Sequence, residues 1–308
     1  MNSRAEMGRR AALALAALAV LAVSASAAEQ TGYSWDYSAV LNDENPAGIN
    51  FAGLPGFTRS VYDRTFALVA PESHVWGSLP GWVAASTAHV ISPASGACFS
   101  MYLAKLRAGG SAGAPAGANV ERLAFVLDGE VTVRGSAGAE AATLHAGQYA
   151  FFPPSSFAAG ASLESAAGAG LVVLERVYSS KTTGKAAFFT DDVENRTLEA
   201  VPGEDFALRR LLPLDADHDF NVHIMDFAPG EYLNVKEVHY NQHGLLMLAG
   251  KGIYRLADNW YPVQTGDVIY MGPYVPQWYA ALGTTPTRYF LFKDTHLDPL
   301  DQGFFETA

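Results

Sequence analysis

Two segments of this chain repeat one pattern of short strands and turns, so the chain has to fold as two similar units. The stretch RLAFVLDGEVTV at 122–133 aligns with HGLLMLAGKGIY at 243–254. Downstream, AGQYAFFPPSS at 146–156 aligns with TGDVIYMGPYV at 265–275. In each downstream copy a glycine is followed seven residues later by a proline, which indicates the same turn in both units.

Strand-length runs separated by turn residues characterise both units. Examples are FSMYLAKL, FNVHIMDF and RYFLFKD, with Gly, Pro, Asn and Asp between such runs. Few stretches keep a helical period for long. Many short strands with turn signals between them are typical of β-sandwiches and barrels. We therefore predict an all-β fold of two tandem β-barrels with few short helices.

The same patterns divide the chain into successive parts. Residues 28–60 form an N-terminal arm with little pattern of its own, and residues 61–178 form the first barrel. A polar, turn-rich stretch at 179–205 joins this barrel to the second one at 206–308. We therefore predict that the boundary between the two barrels lies within 179–205.

Residues 1–27 have the pattern of a secretory signal peptide. A basic start that includes Arg9 and Arg10 precedes an unbroken apolar run from Ala11 to Val23. Ala25-Ser26-Ala27 then matches a signal-peptidase cleavage site. The apolar run is shorter than the ~20 residues that a membrane-spanning helix needs. We predict a mature chain in the secretory pathway without a stable membrane anchor; a membrane anchor or a plastid transit peptide are the alternatives.

The overall charge and the cysteine content exclude several classes of protein. The net charge is −11 and no block is rich in Lys and Arg, so nucleic acid and anionic membrane surfaces are not expected partners. Cys98 is the only cysteine, so no intrachain disulfide can form. Because it lies in the apolar run GACFSMYL, we expect a buried small hydrophobe rather than a nucleophile.

The stretch GEYLNVKEVHYNQHG at 230–244 contains one carboxylate and two imidazoles close together, at Glu237, His239 and His243. On a helix the two histidines would share a face, but Glu237 would point away from His243. On a strand the side chains alternate with a period of two, so all three would point to one face. We therefore predict a strand that presents the three side chains together as metal ligands.

The spacing of these residues between Gly230 and Gly250 resembles the first cupin motif, with the first histidine and the glutamate exchanged. The histidine of the second cupin motif corresponds to Gln277 here. Cupins are small β-barrels that bind a metal through these four positions. The resemblance therefore implies a bicupin with one metal site, whose four ligands would be Glu237, His239, His243 and Gln277.

The first repeat lacks this ligand set. The position that matches His243 is Arg122, and the other three matching positions are all alanine: Ala116, Ala118 and Ala158. We therefore predict that the first barrel binds no metal and that it supports the second barrel structurally or from outside the ligand shell.

The segment from NVHIMDF to WYAALG at 221–283 resembles the C-terminal half of the (S)-ureidoglycine aminohydrolase family. These bicupin enzymes release ammonia from ureidoglycine in purine and allantoin breakdown. The resemblance implies ureidoglycine as the small-molecule substrate, Mn(2+) as the cofactor, a homo-oligomer and a location in the endoplasmic reticulum lumen. A ligand set of oxygen and nitrogen atoms without thiolate is compatible with Mn(2+), although affinity alone does not exclude Fe, Ni or Zn.

Lys293 and two tyrosines are the candidates for catalysis and substrate binding. On the strand RYFLFKD, Tyr289 and Lys293 share one face, and a lysine inside a barrel is costly unless it is paired or functional. Burial and a nearby metal would lower its pKa and make it a base. Tyr254 is placed to donate to a substrate carboxylate or ureido oxygen, and the family resemblance implies substrate contacts at Tyr254, Tyr289 and Lys293. The alternatives are a lysine that reaches solvent at the edge and tyrosines that only pack in the core.

The predicted roles are therefore catalysis by Lys293 and Tyr254, with substrate contacts from those two residues and from Glu237, Gln277 and Tyr289. Two other functions stay open. Another metallocupin enzyme, such as an oxalate-degrading enzyme or a dioxygenase, would usually have three histidines and a glutamate as ligands. A non-catalytic bicupin binding protein would lack the ligand set.

Overall fold

A computed structural model of the chain describes residues 35–41, 56–179, 186–296 and residue 300. The predicted signal peptide and most of the predicted arm lie outside the described residues. Within them the helices are short 3-10 turns, at Ser38–Leu41, Pro71–Ser73, Pro93–Ser95 and Val193–Asn195. The rest of the regular structure is β-strand, so the predicted all-β fold is confirmed. None of the described helices has the length and apolarity to cross a membrane.

The strands are numbered in chain order. They are β1 (Val61–Tyr62), β2 (Phe66–Val69), β3 (Val83–Ile91), β4 (Ser100–Ser111), β5 (Val120–Arg134), β6 (Ala142–His145), β7 (Gln148–Phe152), β8 (Ser162–Ser165), β9 (Gly168–Val177), β10 (Phe189–Asp192), β11 (Glu199–Ala200), β12 (Ala207–Arg210), β13 (Phe220–Phe227), β14 (His243–Ala249), β15 (Lys251–Leu256), β16 (Asn259–Gln264), β17 (Val268–Met271), β18 (Gln277–Leu282) and β19 (Thr287–Asp294).

The first barrel is built from one antiparallel sheet. Its strands are neighbours in the order β10, β7, β5, β8, β4 and β3, while β6 pairs with β5 and β9 pairs with both β4 and β5. The interior is apolar and contains Tyr102, Ala124, Val126 and Leu171. This barrel therefore has a filled core of its own.

The second barrel is built from two sheets. The larger one has the order β1, β2, β17, β14, β19, β13, β12 and β11, and the smaller one has the order β16, β15 and β18. Apolar and aromatic side chains from both sheets fill part of the space between them, including Leu245, Met247, Tyr279 and Leu291. The predicted metal ligands come from the same region of the fold.

The two barrels pack against each other through the outer faces of their longest strands. Phe125 of β5 meets Phe290 of β19 edge to face, with ring centroids 5.6 Å apart. Since side chains alternate along a strand, β5 buries Phe125 between the barrels and Val126 inside the first barrel. Strands buried on both faces are apolar throughout, which explains why LAFVL at 123–127 and LLML at 245–248 are unbroken apolar runs.

The two barrels exchange strands, so their limits in the structure differ from the boundaries predicted from the sequence. Residues 61–69, assigned there to the first barrel, form β1 and β2, and β2 pairs with β17 of the second barrel. Within the predicted linker, β10 pairs with β7 of the first barrel and β11 pairs with β12 of the second. An apolar pattern marks a strand as buried but does not identify its pairing partner, so the sequence did not indicate this exchange.

Arg122 occupies the place in the first barrel that His243 occupies in the second. It is 1% exposed, and its guanidinium donates to the Glu175 carboxylate at 2.7 Å and to the Gly113 carbonyl at 2.8 Å. The rings of Trp82 and Phe157 lie over the guanidinium. A fixed and neutralised cation thus fills the interior at this position.

A buried carboxyl pair joins the barrels. Glu121 of the first barrel is fully buried, and its pKa is raised well above the ordinary value because burial disfavours the charged form and the Asp219 carboxylate lies beside it. Although burial opposes it, the neighbouring Glu121 carboxyl group and the charge of Arg176 lower the pKa of Asp219. The Asp219 carboxylate also accepts the Ser179 N–H at 2.7 Å. Glu121 therefore holds the one proton of the pair.

This pair should make stability depend on pH. Glu121 keeps a proton in the folded protein and releases it on unfolding at any pH above about 4.3, the ordinary glutamate value. The free energy of unfolding should therefore fall as the pH rises above that value, by about 1.4 kcal/mol per pH unit until Glu121 ionises in the folded state. Glu121→Gln should flatten this part of the profile in denaturant unfolding measured from about pH 5 to pH 8.

The matched control is Glu140→Gln, which changes an exposed glutamate of the same barrel. This variant should follow the wild-type pH profile. Equal slopes for Glu121→Gln and the wild type would show that the carboxyl pair does not hold a proton on folding.

Candidate metal centre

The four predicted ligands come from three parts of the second barrel. His243 is the first residue of β14 and Gln277 is the first residue of β18. Glu237 pairs with Gln277 through an isolated bridge, in which each main-chain N–H donates to the other carbonyl at 3.0 Å. His239 lies in the loop that follows, and its carbonyl accepts the Tyr274 N–H at 2.7 Å.

The predicted strand through residues 237–243 is therefore wrong, because only His243 lies in a regular strand. Glu237 pairs with β18 of the smaller sheet, and the chain then continues to β14 of the larger sheet. This path brings Glu237, His239 and His243 together, although the sequence had predicted that the alternation of a single strand would align them. The ligands converge from two sheets instead of from one face of one strand.

The ligand atoms of the four side chains are close together. The Nε2 atom of His239 is 3.2 Å from Nε2 of His243, 3.1 Å from Nε2 of Gln277 and 3.7 Å from Oε2 of Glu237. The Gln277 amide nitrogen is 3.4 Å from Oε2 of Glu237. The ligand atoms of Glu237, His239 and His243 all lie within 4.8 Å of one another, and this is the one such group of metal-ligating residues found in the described parts of the chain.

The hydrogen bonds around these atoms fit a cation. Nδ1 of His243 lies 3.0 Å from the Phe292 carbonyl, so the ring carries its proton there and Nε2 presents a lone pair to the site. The Oε1 atom of Gln277 is buried without a partner, while its amide nitrogen points at the site. Amide oxygen and nitrogen are interchangeable by a rotation of the amide group. Turned inward, Oε1 would complete a set of one carboxylate, two imidazoles and one amide oxygen, all of them acceptors that a divalent metal would satisfy.

Electrostatics keep His243 in the form that a metal needs. Its pKa is lowered well below the ordinary value because the ring is fully buried and the Lys293 ammonium lies nearby. The imidazole is therefore neutral at physiological pH. A neutral imidazole with one nitrogen held by a carbonyl oxygen is the common form of a metal-binding histidine.

Lys293 lies beside His243 on the inner face of the barrel. The Cα atoms of the two residues are paired across β14 and β19, and Lys293 is half-buried. Leu291, two residues earlier, belongs to the interior core, so the predicted face of this strand is correct. Among the residues that the structure describes, the Lys293 ammonium has no hydrogen bond or ion pair. It is thus available to a substrate in the barrel.

Tyr254 and Tyr289 complete the inner wall. Both are buried and both interact electrostatically with the Glu237 carboxylate. Burial, followed by negative charge nearby, raises the pKa of each hydroxyl well above its ordinary value. The two hydroxyls are neutral at physiological pH and can donate a hydrogen bond. The structure thus brings all seven predicted site residues into one barrel interior, and their individual roles stay predictions.

His223 is a further interior residue that no motif marks. It lies on β13, where its Cα is paired with Leu291 of β19 and with Arg210 of β12. Burial, then the charges of Lys293 and Arg210, lower the pKa of His223 to about 3, so the ring is neutral. The alternation of FNVHIMDF places His223 on the same face as the core residue Met225, which is the sequence signal that locates it.

Sequence comparison identifies relatives over most of the chain. The family model for the Cupin domain matches residues 223–293, which contain the whole candidate centre. The (S)-ureidoglycine aminohydrolase of Arabidopsis thaliana is 51% identical over 247 residues, which cover 80% of this chain and 81% of the relative. The probable (S)-ureidoglycine aminohydrolase of Oryza sativa subsp. japonica is 52% identical over 80% of this chain and 78% of that protein.

Structural comparison agrees with this result. The crystal structure of protein Ylba from E. coli superposes with a TM-score of 0.68 and 26% identity. The match covers 82% of this chain and 99% of that structure. The two tandem barrels predicted from the repeat and the cupin fold implied by the motif spacing are therefore confirmed.

Proposed function

Because this chain belongs to the (S)-ureidoglycine aminohydrolase family, we propose that it is a manganese-dependent hydrolase that converts (S)-ureidoglycine and water into (S)-ureidoglycolate and ammonia. The broader assignment is an enzyme of purine catabolism, as the family membership implies. The observation that carries the proposal is the convergence of Glu237, His239, His243 and Gln277 beside Lys293 inside the second barrel.

The four converging residues would hold the manganese ion. One carboxylate, two neutral imidazoles and one amide oxygen contain no thiolate, which suits Mn(2+) better than metals that prefer sulfur. A divalent ion with one carboxylate ligand would supply a residual positive charge near +1, which attracts the substrate carboxylate and polarises the groups bound beside it. Two contacts at the ion and a third on the barrel wall would select one enantiomer.

The substrate defines what the protein groups have to do. Ureidoglycine carries an amine and a ureido nitrogen on the same carbon, next to a carboxylate. The ureido lone pair can expel the amine as ammonia, which gives an acyl-imine, and water then adds to that carbon. The enzyme has to supply a proton to the departing amine, take one from the attacking water and hold the carboxylate.

Lys293 is the residue that we propose for the proton transfers. It is half-buried, it stands beside the metal ligand His243, and no described residue neutralises it. Tyr254 and Tyr289 would donate hydrogen bonds to the substrate carboxylate or ureido oxygen, because both hydroxyls are neutral and both lie near Glu237. Glu237 and Gln277 would contact the substrate where they flank the ion.

Two other functions make different measurable predictions. An oxalate-degrading enzyme or dioxygenase should consume oxygen or need it for turnover. An oxygen electrode would detect consumption, and an assay without oxygen would detect the requirement. The likeness to a solved oxalate decarboxylase has 11% identity and a TM-score of 0.55, so it extends to the fold alone. A non-catalytic binding protein should release no ammonia from any ureido compound.

The direct test uses purified full-length protein and freshly made ureidoglycine. With Mn(2+) present, we expect ammonia release in excess of the spontaneous rate and a single enantiomer of ureidoglycolate. Treatment with a chelator should remove the activity, and added Mn(2+) should restore it. Racemic product at the spontaneous rate, from protein that contains stoichiometric manganese, would contradict the proposal.

Location and assembly extend the proposal. The signal-like pattern of residues 1–27 supports entry into the secretory pathway, with a mature chain that begins near Ala28 and resides in the endoplasmic reticulum lumen. N-terminal sequencing of the protein from its native cells tests this, and a cytosolic chain with an intact N-terminus would contradict it. We also propose a homo-oligomer, and sedimentation that fits a monomer at all concentrations would exclude it.

A further inference from the structure

One segment of the first barrel, Gly96–Phe99, contacts three residues that surround the candidate metal ligand His243. The first is the preceding residue, Gln242, whose side chain is fully buried. Its Oε1 atom accepts the main-chain N–H of Cys98 at 2.9 Å and lies 3.3 Å from the Tyr270 hydroxyl. The Tyr270 hydroxyl also donates to the Gly96 carbonyl at 3.0 Å. The Gln242 side chain thus connects the main chain just before His243 to the first barrel.

The second residue is the one that follows His243. A Cβ atom added at Gly244 would lie 2.6 Å from the ring of Phe99 and 3.0 Å from Ile91, which is too close for any side chain. The Phe99 ring therefore lies directly against the backbone of β14. Glycine is required here because the first barrel occupies the space that a side chain would fill.

The third residue provides the carbonyl group that orients the His243 ring. That carbonyl belongs to Phe292, and it is 3.0 Å from Nδ1 of His243. The side chain of Phe292 stacks on the ring of Phe99, with ring centroids 3.8 Å apart. The first barrel therefore also contacts the residue that fixes the tautomer of the ligand.

We propose that Gln242 is a positioning residue for the metal ligand His243. Through Gln242, the first barrel, which contributes no metal ligand, would set the geometry of the metal centre. The inference rests on the proposed function in so far as it assumes a metal at this centre. Glu237 and Gln277 hold each other through a bridge within the second barrel. The residues on either side of His243, in contrast, also contact the first barrel. Losing a group that orients a ligand in this way typically lowers metal affinity by about 10–100-fold.

The test is a comparison of metal affinities. Gln242→Met keeps the size of the side chain but removes the acceptor for Cys98. Titration calorimetry of metal-free full-length protein with Mn(2+) should give a Kd that is higher than the wild-type value by about 10–100-fold, the usual effect of losing a group that orients a ligand. The His243 contacts within the second barrel are unchanged in this variant.

A matched control comes from another hydrogen bond between the barrels. The Tyr149 hydroxyl of the first barrel donates to the Leu211 carbonyl at 2.6 Å, and neither residue contacts the four candidate ligands in the hydrogen bonds of the described residues. Tyr149→Phe removes one hydrogen bond between the barrels, as Gln242→Met does. It should lower the melting temperature but leave the Kd for Mn(2+) within about twofold of the wild type, which separates ligand positioning from a general loss of stability.

A second route to the same contact keeps the test decisive if Gln242→Met does not fold. Gly244→Ala should weaken Mn(2+) binding, because its methyl group pushes against Phe99. Phe99→Leu in the same chain should restore part of the lost affinity by making room. Unchanged Kd values in both Gln242→Met and Gly244→Ala, with lowered melting temperatures, would overturn the inference.

Failure of the proposed function has a different signature. A wild-type protein that binds Mn(2+) but releases no ammonia from ureidoglycine would contradict the function and leave the affinity comparison valid. A wild-type protein that binds no divalent metal would overturn both.

Discussion

Replacing His239 or His243 with alanine should abolish stoichiometric binding of manganese. Each variant removes one of four converging ligands, and the loss should exceed the factor of about 100 that is the upper range for a group outside the ligand shell. In His243→Ala the Phe292 carbonyl also loses its donor. Metal content after dialysis and a Mn(2+) titration by calorimetry measure the effect, while circular dichroism verifies the fold.

The matched control is His145→Ala, which removes an exposed histidine of the first barrel. Arg122→Ala tests the first barrel more severely, because Arg122 occupies the position equivalent to His243. Both variants should retain one metal per chain, although Arg122→Ala should unfold more easily because Glu175 loses its partner. Full metal occupancy in a double His239→Ala, His243→Ala variant would refute the proposed centre.

Lys293→Met should lose turnover by about 100-fold or more while its metal content and fold stay normal, as expected for a general acid–base group. A divalent ion held by one carboxylate ligand would leave a positive charge near +1 beside Lys293. Lys293 is paired with His243 across the two strands, so its side chain can reach a substrate held at the centre. Steady-state kinetics with fresh substrate, corrected for spontaneous decay, measure kcat and KM separately.

Tyr289→Phe is the control on the same face of β19. It removes one hydroxyl but no charge, so its effect should be smaller than that of Lys293→Met. If Lys293 only neutralises the substrate carboxylate, KM should rise while kcat changes little, since binding is lost equally in the ground state and the transition state. A Lys293→Met enzyme with nearly normal kcat would assign the proton transfers to other groups.

The sequence was sufficient to predict the two barrels and to select residues that the structure brings close together. The repeat of RLAFVLDG and HGLLMLAG reflects strands that are buried on both faces. Such strands are recognisable in a sequence because their residues are nearly all apolar. The spacing of Glu237, His239 and His243 between two glycines is equally informative, because the three side chains do converge. The sequence therefore predicted which side chains come together, but not the backbone conformation that brings them together.

The path of the chain through the centre was not predictable in the same way. Alternation suggested a strand through Glu237 and His243, but the chain leaves one sheet and enters another between them. The contact of Phe99 with Gly244 was equally hidden, because it joins residues from different barrels. Local patterns report which residues are buried, while the identity of a distant partner depends on the packing of the whole fold.

The exchange of strands between the barrels has a consequence for how the protein is made. Phe66 of β2 pairs with Met271 of β17 in the larger sheet of the second barrel. This sheet cannot be completed until the ribosome has released β17. At roughly 5–20 residues per second, β2 waits on the order of 10–40 s for its partner. During this interval its apolar residues lack their native cover, so a nascent chain that pauses before β17 should be a target for chaperones and a source of aggregates.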